Sequence, residues 1–414
     1  MSWKSLFRSM IVLMALMWSS LSIAGEIVIG YTGPLSGPAA EYGQDIFNGI
    51  DMAVKEINSA GGIAVAGEKY TFKLEKLDDK ADPTLTVNNA RRFSGNKAIA
   101  VFNGVFNTIV PLMKINREKN NEFIVMAYTS TPKIDAMGNE LVINSAPAFT
   151  TYVELFADWA FKNGWKKCAM VVSFGTYGDE WRQAFKEYWV SHGGAISVDK
   201  PANYYTETDF SSQLTAAIAS APDVMLIGGP SATTALVVEQ ARSMGYKGGF
   251  ILIDQAKLDY IARLLNGTKL MGNLIGVAGV LSLPPSEGNP NLFDEAYTRA
   301  YKRMTTWECA LSYTAMYALS RAIVSAGTVN DPYRIRAAFP NVFPLLADRF
   351  PTEAFGINKD GRMLILASVQ TVTDGKLNRA ELYAPWPTSQ REFDQFKKTS
   401  KTDKKIPLTW MKKE

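Results

Sequence analysis

The chain has one histidine, His192, and two cysteines, Cys168 and Cys309, in 414 residues. One histidine cannot build a multi-histidine metal site. His192 also stands in Ser191-His192-Gly193-Gly194, a helix-end pattern with no oriented partner for proton transfer. Two widely separated cysteines make no disulfide framework. An exported chain could pair them, and burial as two free thiols is the other reading, since free cysteine packs as a small hydrophobe. No glycine spacing fits G-x-x-x-x-G-K-[ST], or G-x-G-x-x-G after a strand, and there is no G-x-S-x-G elbow. Asp78, Asp79 and Asp82 lack calcium-loop spacing and read instead as a strand end and a helix cap. No catalytic, metal or cofactor-binding residue is assigned. The net charge of +4 is too small to indicate nucleic acid or a membrane surface as partner.

Long apolar runs are also missing, apart from one short stretch at the start. Lys4 and Arg8 precede Ile11-Val12-Leu13-Met14-Ala15-Leu16-Met17, and Ser22-Ile23-Ala24 follows as a small-x-small cleavage site. The run is short for a bilayer span of roughly 20 residues. Residues 1–24 therefore read as a cleaved export signal, which makes the mature chain periplasmic. No cysteine beside the cleavage site suggests a lipid anchor.

About 390 residues would remain, enough for two domains on size alone. Strand and helix patterns alternate through them. The alternation Thr71 to Leu77 and the apolar runs Ile99 to Phe102 and Phe123 to Ala127 predict strands. Tyr42, Ile46, Ile50, Ala53 and Ile57 share one helical face, which Gly61-Gly62 ends. Helices are further predicted at 84–94 and 110–119. The rhythm restarts after residue 150, with strands at 168–173, 223–227 and 250–253 between helical patterns, and a strand at 363–373. This is the pattern of parallel sheets covered by helices on both faces. From Arg391 to Glu414 there are 8 basic and 4 acidic residues, a composition that predicts a solvated surface tail.

The richest stretch runs from Glu26 to Gly62. The strand Ile27-Val28-Ile29-Gly30 leads into Tyr31-Thr32-Gly33-Pro34-Leu35-Ser36-Gly37-Pro38, and a helix opens near Glu41-Tyr42-Gly43. A strand, a Gly/Pro loop and a helix start present free backbone N–H groups to a small polar ligand. This stretch resembles the opening of the type I periplasmic solute-binding proteins of the branched-chain amino-acid (Leu/Ile/Val) family. That opening is I-x-I-G-x-x-G-P-L-S-G-P-x-A-x-Y-G followed by N-G-x-x-x-A-V-x-E-I-N-x-A-G-G-I, here Ile27 to Gly43 and Asn48 to Ile63. Asp78-Asp79 with Asp82-Pro83, Thr208 to Ser211, Pro222-Asp223 leading to Gly228-Gly229, Glu239 to Gly245 and Phe355 to Gly361 match in order, so the resemblance spans about Glu26 to Gly375.

The resemblance implies an α/β fold of two Rossmann-like lobes joined by a three-segment hinge, with a ligand held in the cleft. Lobe 1 is expected at 26–147 plus 280–350, lobe 2 at 148–279 plus 351–380, and a C-terminal extension at 381–414. It also implies site residues, matched one at a time. Tyr42 stands at the cleft wall. Asn107 and Thr108 fall where relatives place a serine pair. Tyr128, Thr129 and Ser130 match the loop that holds the ligand carboxylate and amine. Tyr177 matches a tyrosine that closes from lobe 2, and Asp254 an acid that pairs with an ammonium. The altered serine pair, bulky Tyr128 and Pro230-Ser231 depart from amino-acid binders. The implied role is a non-enzymatic, monomeric, cofactor-free substrate-binding protein of an ABC importer. It would capture a small amino acid or related carboxylate and hand it to a membrane permease. An aromatic or other amine-free organic acid as ligand, with Tyr42, Tyr128, Tyr177 and Trp307 stacking on a ring, stays open, as does a sensor role.

Overall fold

The computed structural model describes residues 23–283, 292–402 and 406–411. The expected export signal lies outside the described residues, except for the backbone of its last two. Strand β1 (Ile23–Gly33) leads to α1 (Ala40–Ser59), the pair β2 (Ile63–Val65) and β3 (Glu68–Asp78), and α2 (Pro83–Gly95). Then come β4 (Ala100–Asn103), α3 (Phe106–Ile115), β5 (Ile124–Ala127), the short α4 (Lys133–Ala136) and β6 (Val142–Asn144). These strands form one sheet in the order β2-β3-β1-β4-β5-β6. All neighbours are parallel except β2 and β3.

Both faces of such a sheet are covered, which is why β4, β5 and β6 are buried along their whole length, whereas β3, next to the edge, alternates and is only partly buried. Alternate residues serve opposite faces. Ile27, Ile29 and Tyr31 pack with Ile46 and Ile50 of α1, while Val28 packs with Phe93 and Ile109 on the other side. Burying each such side chain contributes about 1.5–3 kcal/mol. Asp82 caps α2 by accepting from the amides of Thr84 and Leu85, as its position before Pro83 predicts.

The second sheet begins after α5 (Thr150–Lys162). It takes β7 (Lys167–Val172), α6 (Thr176–Ser191), β8 (Ala195–Asp199), α7 (Ser211–Ala219), β9 (Val224–Gly228), α8 (Ser231–Ser243), β10 (Gly249–Leu252), α9 (Leu258–Leu264) and β11 (Leu274–Val277). The chain then returns to the first sheet with α10 (Leu292–Tyr301), α11 (Trp307–Ala326) and α12 (Pro332–Ala338). Helix α11 lies on α1 so closely that a Cβ at Gly49 would overlap the backbone of Cys309. The hairpin β12 (Ala354–Ile357) and β13 (Met363–Ile365) precedes β14 (Ala367–Thr373), which re-enters the second sheet antiparallel to β11. Here β15 (Lys376–Leu377) and β16 (Glu381–Ala384) follow, then α13 (Gln390–Thr399) and β17 (Leu408–Trp410). The order is β17-β16-β14-β11-β10-β9-β7-β8, with β15 beside β14.

Three expectations need correction. The helix predicted at 110–119 begins four residues earlier, because Asn103 accepts from the amide of Val105 and the hydroxyl of Thr108 and so turns the chain into a helix at once. The strand predicted at 363–373 is broken at Leu366 into β13 and β14. Before the break, the Gly361 carbonyl accepts from the amide of Asn144 at the end of β6, and Arg362 donates to the carbonyl of Thr129. The segment after Arg391 is not a solvated tail over its described part. Phe393, Phe396, Ile406, Leu408 and Trp410 pack with Phe355 and Leu382, and β17 pairs in parallel with β16. Counting charges hid that apolar spacing.

Cys168 in β7 and Cys309 in α11 are free and buried in different lobes. Burial pushes the Cys168 thiol up to about 12 and that of Cys309 also well above its ordinary value. A thiol reagent such as Ellman's should therefore titrate neither in the native protein and both after denaturation. Rapid native reaction of either thiol would contradict this burial.

Candidate functional site

The carboxyl ends of both sheets face one another across a cavity of about 740 Å³, the place where open α/β sheets bind ligands. From the first lobe come Tyr42 of α1, Gly104 to Asn107 at the start of α3, and Tyr128, Thr129 and Ser130 after β5. From the second come Ser173 and Phe174 after β7, Tyr177 in the first turn of α6, Tyr205, and Asp254, Gln255 and Lys257 after β10. Val277, Trp307, Ile365 and Ser368 close the floor near the chain passages.

Tyr42 donates to the carbonyl of Gly104 at 2.8 Å, and its ring lies 6.2 Å from that of Tyr128. A Cβ at Gly104 would overlap Ile46 and crowd Tyr42, so only glycine lets this tyrosine lie flat against the turn. Tyr128 donates to Glu308 at 3.2 Å. Burial holds the hydroxyls of Tyr42, Tyr128 and Tyr177 well above the ordinary phenol range, so they act only as neutral groups. Thr129 and Ser130 are buried in the loop wall, and Asn107 is exposed at the mouth, opposite Gly175 of the second lobe. Thr108 does not line the cavity. Its hydroxyl is spent inside α3 on the Val105 carbonyl and Asn103 Oδ1.

Asp254 is held rather than free. Tyr177 donates to its Oδ1 at 2.7 Å and Trp181 Nε1 to the same atom at 2.6 Å. The Tyr177 oxygen also accepts from the amide of Gln255 at 3.2 Å. Tyr177 is thus a support for Asp254, with its ring left to pack.

Sequence reasoning missed several groups. Gln255 and Lys257 share the strand-end loop of Asp254 and could have been read with it. Ser173 and Tyr205 carry no local signal, nor does Glu308, which reaches the site region from α11. Arg362 is the largest omission. Its Nη1 donates to the carbonyls of Thr129 (3.1 Å) and Ala146 (2.6 Å), its Nη2 to that of Thr131 (2.9 Å), and its Nε to Asp135 (2.8 Å). One fork so fixes both the loop carrying Thr129 and Ser130 and the first passage between lobes.

The model of the family described as periplasmic binding protein matches residues 26–376. The chain belongs to that family. Family members are solute-binding proteins and not enzymes. One relative of this periplasmic binding protein is the Leu/Ile/Val-binding protein homolog 3 of Brucella melitensis, 27% identical over 77% of this chain and 84% of the relative. Among solved structures, a leucine binding protein from Thermotoga maritima is 21% identical, with a TM-score of 0.71 over 86% of this chain and 98% of that one. A solute binding protein from R. palustris, solved in complex with benzoate, is 17% identical, with a TM-score of 0.70 over 86% and 95%. Their common fold is the two-lobed α/β architecture described above. Among the described residues no helix is long and apolar enough to cross a membrane.

Within the binding protein's cleft, Ser173 Oγ and Gln255 Oε1 are buried polar atoms without a hydrogen-bond partner among the described residues. Gln255 Nε2 meanwhile donates to Tyr205 at 2.9 Å. Leaving such groups unpaired in a folded chain costs about 1–3 kcal/mol each.

Proposed function

We propose that this protein is the periplasmic substrate-binding component of an ABC importer, exported with a cleaved signal and working as a monomer with a membrane permease. It captures a small amino acid or related carboxylate between its lobes by hinge closure. The observation that carries this reading is the division of polarity across the cleft. The first lobe offers neutral donors: Ser130, Asn107, and the backbone N–H groups at the start of α3 that have no helical acceptor. The second offers acceptors: the Asp254 carboxylate and Gln255 Oε1. A ligand with a carboxylate at one end and an ammonium at the other satisfies both walls, and closure excludes water, which strengthens each charged hydrogen bond.

A second reading, an amine-free aromatic acid, is favoured by the ring-rich wall of Tyr42, Phe106, Tyr128, Phe174, Tyr177 and Trp307. A thermal-shift screen of refolded protein against amino acids and aromatic acids separates the two, because a ligand of the native state raises the melting temperature by mass action. The decisive variant is Asp254→Asn. It removes the charge and keeps an oxygen for Tyr177 and Trp181. Affinity for an amino acid should fall about 10–100-fold, the worth of one charged hydrogen bond, while an amine-free acid should bind as before. Unchanged amino-acid affinity would take Asp254 out of the site.

A further inference from the structure

Lys257 and Glu308 form an ion pair at 3.3 Å, with their side chains 6% and 5% exposed. The two residues belong to different lobes. Lys257 precedes α9, and its amide donates to Ser231 at the start of α8 in the second lobe. Glu308 sits in the first turn of α11, which is fastened to α1 of the first lobe through Thr306 and Asp45. Each charge has one further partner on its own lobe. Lys257 donates to the carbonyl of Asp254, and Glu308 accepts from Tyr128. Asp254, Lys257, Glu308 and Tyr128 therefore form a continuous chain of bonds from one wall of the cleft to the other, and the only link of that chain that crosses between lobes is the ion pair.

We propose that Lys257 and Glu308 are positioning residues that form a matched latch: their ion pair is made when the lobes meet, each charge is tolerated in the closed cleft only beside the other, and the Asp254 and Tyr128 walls are aligned in the same step. The inference rests on the hinge-closure reading above. In an opened cleft both are hydrated and need no partner. In the closed cleft each is out of water, and a buried charge without its partner is strongly unfavourable, whereas removing both charges is close to neutral. Among the described residues the other interlobe ion pair, Lys133 with Glu180, is more than half exposed on the lysine side and lies at 3.7 Å, so it has little power to hold the lobes.

The test follows closure directly. Lys114 on α3 and Lys186 on α6 are exposed on opposite lobes. Cysteines introduced there can be spin-labelled selectively, because Cys168 and Cys309 are buried. Interlobe distances are then measured by pulsed electron resonance in the full mature chain, ligand-free and with saturating L-leucine, L-phenylalanine or benzoate. Glu308→Gln leaves Lys257 buried without a counter-charge and should lower the closed-to-open ratio at least tenfold. Lys257→Met should do the same by stranding Glu308. The double variant Lys257→Met/Glu308→Leu should recover most of the closed fraction, and the unfolding midpoint of each variant's open form should stay near that of the parent. Closed fractions unchanged in both single variants would overturn the latch, as would a double variant no more closed than the worse single one. If the parent itself shows one unchanging distance under every condition, the closure reading fails first, which is a separate outcome.

Discussion

Replacing Arg362 by methionine is expected to lower the unfolding free energy by about 3–5 kcal/mol, the range for breaking a buried, hydrogen-bonded ion pair from one side. Methionine fills a similar length, so the loss comes from polar groups and not from a void. Three carbonyls, those of Thr129, Thr131 and Ala146, lose their guanidinium donor together, and Asp135 loses its counter-charge. Arg362→Lys should recover little, because an ammonium cannot present the planar fork that reaches four acceptors at once. The same variants should weaken ligand binding more than their stability loss alone explains, since the freed loop carries Thr129 and Ser130. Urea unfolding alongside titration calorimetry checks both parts. A change below 1 kcal/mol with normal binding would show that water replaces the fork without cost.

Ligand affinity is expected to fall as pH rises from about 5 to 8, by up to about tenfold per unit. The group responsible is Glu41 of α1, whose Oε1 accepts from the amide of Ala232 at the start of α8, across the lobe boundary, at 3.2 Å. Burial raises its carboxyl from 4.5 to about 8, with the neighbouring carboxylate of Asp45 adding to the shift and that of Glu308 adding less. The Ala232 amide and the Arg303 guanidinium oppose it. A carboxyl raised on closing takes up a proton as the lobes meet. The stabilisation is complete below the open-form value and is lost as pH climbs through about 8. Glu41→Gln keeps an acceptor for Ala232 and removes the titration. It should bind as the parent does at low pH and hold that affinity toward pH 8. A parent profile flat from pH 5 to 8 would show that Glu41 is equally buried in the open form.

Much of the cavity wall was legible in the sequence because it sits where local pattern ends. Tyr42 opens a helix after a Gly/Pro loop, Tyr128 to Ser130 follow an apolar strand, and Asp254 follows another. In a parallel sheet the residue after a strand faces the carboxyl edge whatever its partners are. Thr108 was misplaced for a reason of the same kind. The helix start was set by Asn103, whose side chain bonds two and five residues ahead, and the apolar period alone does not register that bond. The break at Leu366 was invisible because β13 and β14 read as one apolar run, although they belong to different sheets.

The sequence by itself determined the strand and helix periods, the Gly/Pro loop that opens the cleft, and the membership that its motifs announce. Those depend on neighbours within a few residues, where backbone sterics and side-chain spacing are decisive. Only the tertiary structure decided that Glu308 meets Lys257, that Glu41 caps a helix of the other lobe, and that Arg362 gathers Thr129, Thr131 and Ala146. Each of these joins residues far apart in the chain. Their charges become strong when two lobes remove them from water, and that desolvation is a property of the assembled fold.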